Sequence, residues 1–202
     1  MASIEFGNTH KEAQSPDELW SYASGGDGYA KGPKVAVAEY MEKKGLGVSV
    51  RLGERGPGIA AIYASPQGKR ALDKIVKTPE FSAISEGLVG HFGEPEVEKC
   101  KWDKTTKQRV QALYWQSRRR YAQHLLENPI KLAQVSGGLP WITGAKEIRE
   151  NCAEYLRTVI QEAELKEQEL LGSGQPLSAS EVGHLLEEVV DKYLSTPPSS
   201  KT

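Results

Sequence analysis

Apolar residues recur at helical spacing through most of the chain beyond residue 33. Val110, Tyr114, Ser117, Tyr121 and Leu125 lie within about 60° of one line at 100° per residue. Ile148, Cys152, Tyr155, Val159 and Ala163 form a second stripe, and Val182, Leu185, Leu186, Val189 and Tyr193 a third. One short stretch changes period. Val48, Val50 and Leu52 alternate with Ser49 and Arg51, the signature of a strand. Residues 53–58 supply a glycine-rich turn and residues 59–64 a returning strand, so a short β-hairpin is expected over residues 47–64.

Local signals set the helix ends. Residues 34–44 read as a helix stopped by two lysines and Gly45. Ser65-Pro66 and Thr78-Pro79 are caps followed by proline at the first helical position. They predict helices over 66–77 and from 79 to about Gly93. A long helix is expected from Asp103 to Glu127, stopped by Asn128-Pro129. A short one follows over 129–135, and another long one runs from a cap at Thr143 to Leu171. Ser178-Ala-Ser-Glu181 is a capping box opening a last helix to Leu194. The class is mainly α. Residues 1–32 form an irregular N-terminal arm, 33–171 a helical core, and 172–202 a linker, C-terminal helix and polar tail. The arm carries Phe6, Trp20, Tyr22 and Tyr29, bulky groups that suit docking rather than disorder. Trp20 and Tyr22 are its interface candidates.

Charge modifies this picture. The net charge of −1 conceals −4 over residues 1–30, +8 over 31–125 and −5 over 126–202. A basic middle between acidic ends fits a polyanion site, or packing of acidic ends on basic middles. No apolar run is long enough to span a membrane, and the N-terminus has no secretory pattern. Two cysteines, Cys100 and Cys152, give no disulfide framework, so a reducing, cytoplasmic setting (or a virion, for a viral chain) is expected. Cys152, on an apolar stripe, is expected to be a small core residue.

Catalytic and cofactor chemistry finds little support. The run Gly53-Glu-Arg-Gly-Pro-Gly58 lacks the Lys-Ser or Lys-Thr of a phosphate loop, and Pro57 removes an N–H. Glu181 and His184 form one Glu-x-x-His pair, where a di-metal bundle needs two. The four histidines are dispersed. No cofactor and no metal is expected. Residues 66–92 could form a helix-turn-helix, but the second helix starts without side chains suited to base edges.

The strongest local signal lies in residues 107–121. Trp115 points about 140° from the apolar stripe and Arg119 about 180°. Trp115 therefore needs cover from another layer, another subunit, or a base. Arg109, Trp115, Arg118, Arg119 and Arg120 are the candidate nucleic-acid contacts, with Lys69 and Arg70 in support. The expectation is a self-assembling coat- or nucleocapsid-like subunit binding RNA or single strands without reading sequence. A helical adaptor without nucleic acid is the alternative, and an enzyme with an unassembled site the third.

Overall fold

The computed structural model describes residues 3–8, 32–52, 59–90, 93–128 and 145–195. In chain order these form β1 (Ser3–Asn8), α1 (Pro33–Lys43), β2 (Val48–Leu52), β3 (Ile59–Ala64), α2 (Pro66–Ile75) and α3 (Pro79–Val89). A 3-10 turn at Val97–Lys99 follows, then α4 (Lys104–Glu127), α5 (Ala145–Leu171) and α6 (Ala179–Ser195). The protein is mainly α, as its periodicity predicts. The hairpin β2–β3 is present, and β1, from within the N-terminal arm, adds to it as an antiparallel strand in the order β1-β3-β2. Trp20 and Tyr22, the turn at 53–58, the helix expected over 129–135 and the cap at Thr143 lie outside the described residues.

The caps act as their sequences require. The Ser65 hydroxyl accepts the Gly68 N–H at 3.0 Å, and Asp103 accepts the Thr106 N–H at 3.0 Å. Thr78 serves two helices. Its hydroxyl donates to the Ile75 carbonyl at 2.7 Å, closing α2, and accepts the Phe81 N–H at 3.3 Å, opening α3. α3 ends at Val89, short of Gly93, because Gly90 turns left-handed at φ 65°. A Cβ there would sit 2.6 Å from the Arg118 backbone nitrogen. Glycine at this position therefore both ends α3 and lets α4 cross against it.

Two packing regions result. The head comprises α1, the sheet, α2, α3, α6 and the first half of α4. Its core joins Val37 and Met41 of α1, Ile62 of β3, Leu72 of α2, Ile84 of α3, Leu113 of α4 and Leu186 of α6. The linker after α5 separates α6 from the helical core in sequence but not in space. The second region is an antiparallel hairpin of α4 and α5, the most extensive helix pairing of the chain. There Ala122 and Leu125 meet Leu156 and Val159, and Tyr114 and Trp115 meet Ala163 and Leu170. One expected stripe is corrected. Tyr155 is 62% exposed, and Leu156 takes its place at the seam. Leu156 lies about 20° from the line through Ala163, Tyr155 about 80°. Cys152 packs beside this seam as a small core residue.

Candidate nucleic-acid interface

α4 is apolar on two sides, and this decides where its arginines go. Val110 and Leu113 face the head, while Trp115 turns toward α5 and is 6% exposed. Its ring meets Tyr114 edge to face, centroids 5.3 Å apart. Of the three covers the sequence allowed for Trp115, a second layer of the same chain is the one present. Trp115 is therefore no outward stacking platform.

Arg119, on the same side, is held by Glu167 of α5 through two parallel hydrogen bonds, Nε to Oε1 at 2.7 Å and Nη2 to Oε2 at 3.1 Å. Such a fork satisfies the guanidinium as a phosphate would. Arg109 is held as firmly. Its Nη2 donates to both Glu181 oxygens at 2.8 and 2.9 Å and to the Pro176 carbonyl, while Nε donates to the Gln175 carbonyl. Glu181 also accepts the Ser178 N–H at 2.9 Å, completing the capping box. The Ser178 N–H, and then the Arg109 guanidinium, hold the Glu181 carboxyl down at about 2. Both arginines, candidate nucleic-acid contacts from the sequence, are engaged within the chain.

Arg118 donates to the Tyr114 hydroxyl at 3.4 Å, and its Nε is buried with no partner among the described residues. Arg120 is half-buried and engaged. On α2, Lys69 is half-buried and also engaged, whereas Arg70 is exposed. Lys74 is exposed as well, at i+4 from Arg70 on one face of α2, and Lys77 is exposed in the turn that follows the helix. None of these three has an ion pair among the described residues. Of these three only Arg70 is among the candidate contacts read from the sequence; the i, i+4 spacing of Arg70 and Lys74 is the signal that was available.

Beside this row lies an open groove of about 220 Å³, lined by Lys77, Thr78, Ser82, Glu86, Glu96 and Lys99 among others. Its polar groups largely satisfy one another: Lys99 pairs with Glu96, and the Ser82 hydroxyl donates to Glu86 at 2.9 Å. A buried ionic contact missed from sequence ties α3 to α6. Burial works against ionisation of Glu80, but Lys192 at 2.5 Å and the Lys101 N–H at 3.1 Å hold its carboxyl below the ordinary range.

Burial, reinforced by the Glu80 carboxylate, pushes the Cys100 thiol up to about 11, where little thiolate exists at neutral pH. Among the described residues no group of three or more His, Cys, Asp or Glu could hold a metal ion. No described helix is long and apolar enough to cross a membrane. No protein-family model, no curated protein and no solved structure matches this chain.

Proposed function

We propose that the chain is a self-associating structural protein that binds RNA or single-stranded nucleic acid through phosphate contacts, without reading base sequence. Its concrete form is a coat- or nucleocapsid-like subunit. The observation that supports this reading is the α2 row: Arg70 and Lys74 on one face of the helix, with Lys77 in the turn beyond it, are exposed and free of carboxylate partners among the described residues. Phosphate competes poorly for a cation already forked to a carboxylate. The contact surface therefore moves from α4 to α2, and Arg109, Trp115 and Arg119 become fold-holding residues. Arg118, Arg120 and Lys69 are supporting positions at most.

The test is anisotropy of a labelled uridine oligonucleotide titrated with the full chain at several salt concentrations. Three phosphate contacts on a single strand give a slope of about −2 in log K against log salt. R70Q/K74Q/K77Q is expected to abolish binding, and each single change to reduce the slope by about 0.7. A binding constant indifferent to salt, or unchanged in the triple variant, overturns the reading. The second reading, a protein-interaction module without nucleic acid, is favoured by Tyr155 and Leu165, both largely exposed on α5. Absence of oligonucleotide binding with retained self-association would select it.

A further inference from the structure

We infer that the outer face of α5 is a docking surface for the α2 row of a second copy of this chain. The inference builds on the self-associating part of the reading above. α5 leans on α4 through one face, and Tyr155 and Leu165 stand away from that seam, 62% and 67% exposed. Single apolar side chains on a surface are ordinary. These two share a stripe, at 155, 158, 162, 165 and 169, whose spacing alternates between three and four. Beside them Glu154 and Glu162 are exposed and without an ion pair among the described residues.

Charge selects the occupant. Two α5 faces laid together would oppose like charges, which disfavours a symmetric α5–α5 contact. α2 and the turn after it present three exposed cations, Arg70, Lys74 and Lys77, without acidic partners among the described residues. The Tyr155 ring offers a face on which a cation of the row can rest. Within one chain α2 rests on β3 and α6 while α5 rests on α4, so the contact joins different copies. Unlike surfaces meeting head to tail generate a ring or an open filament. The row then has two ligands, carboxylates of a neighbour or phosphates of a polyanion, and each displaces the other.

Charge exchange tests this on the full chain. Sedimentation velocity at low salt is run on wild type, on R70E/K74E/K77E, on E154K/E162K, and on an equimolar mixture of the two reversed chains. Wild type associates, each reversed chain alone sediments as a monomer, and the mixture associates again, because every interface in it pairs opposite charges. Y155A/L165A, which alters no charge, weakens association about tenfold or more and does not weaken oligonucleotide binding. Monomeric wild type, association surviving either reversal, or a mixture that stays monomeric overturns the inference. If a reversed chain loses its helical circular dichroism, Y155A/L165A decides alone: undiminished association overturns the inference. Association without oligonucleotide binding leaves this interface standing and removes only the nucleic-acid reading.

Discussion

α2 and α4 treat their cations in opposite ways. In the head, α2 has one apolar side, buried through Leu72 and Ile75, and its opposite face carries Arg70 and Lys74 into solvent. In the hairpin, α4 has two apolar sides, so the arginines beside its second side meet a neighbouring helix. Arg119 ends on Glu167 with both side chains largely buried. The basic middle of the chain is thus divided. Part of it is consumed by the acidic C-terminal third, through Arg109–Glu181, Arg119–Glu167 and Lys44–Asp191. Arg70 and Lys74, on α2, are left outward. A run of arginines reports a binding surface only when its helix has a single buried side.

The contrast breaks first at Trp115. Trp115→Ala removes the largest side chain between α4 and α5 and is expected to cost about 3–5 kcal/mol. Thermal melting reads the loss, and amide exchange should show it concentrated in α4 and α5, with oligonucleotide binding unchanged. Weakened binding with an undisturbed melt would return Trp115 to the interface. Next in size is Leu186→Ala, in the head. It opens a cavity among α1, α3 and α6 at a cost of about 2–5 kcal/mol, with exchange rising in α1 and α3. Loss confined to the hairpin would show that the two regions are not separate cores.

The smallest expected effect is on pH dependence. Glu181 titrates at about 2 in the folded chain against an ordinary value of 4.5. A depressed carboxyl stabilises the fold when ionised, so its contribution is complete above about 4.5 and is lost as pH falls toward 2. Glu80, also lowered, acts in the same direction. Melting temperatures of wild type and Glu181→Gln should differ near neutrality and converge in strong acid. Curves that stay parallel would remove Glu181 from the acid response. The effect is modest because the side chain is partly exposed and solvent screens it.

Elements set by neighbours three or four residues away were legible in the sequence. Ser65, Thr78, Asp103 and the Ser178–Glu181 box all cap where their local pattern places them. The β2–β3 hairpin follows its alternation. Contacts set by distant residues were not legible. Glu167 is 48 positions from Arg119, and Glu181 is 72 from Arg109. Nothing in residues 107–121 distinguishes an arginine awaiting phosphate from one awaiting such a partner. Tyr155 failed for a finer reason. Position 156 offered a competing apolar residue, and the axial rotation of α5 is set by Ala163 against Trp115.

The place of α6 bears on how the chain emerges from a ribosome. Leu186 and Val190 complete a core that begins at Val35, and the Tyr40 hydroxyl donates to Asp191 across 151 positions. At about 5–20 residues per second, α6 follows α1 by about 10–30 s. During that interval the apolar faces of α1 and α3 have been made and their cover has not. The nascent head therefore waits, open, while the whole hairpin is synthesised, and a chaperone that shields apolar helices has its longest opportunity there.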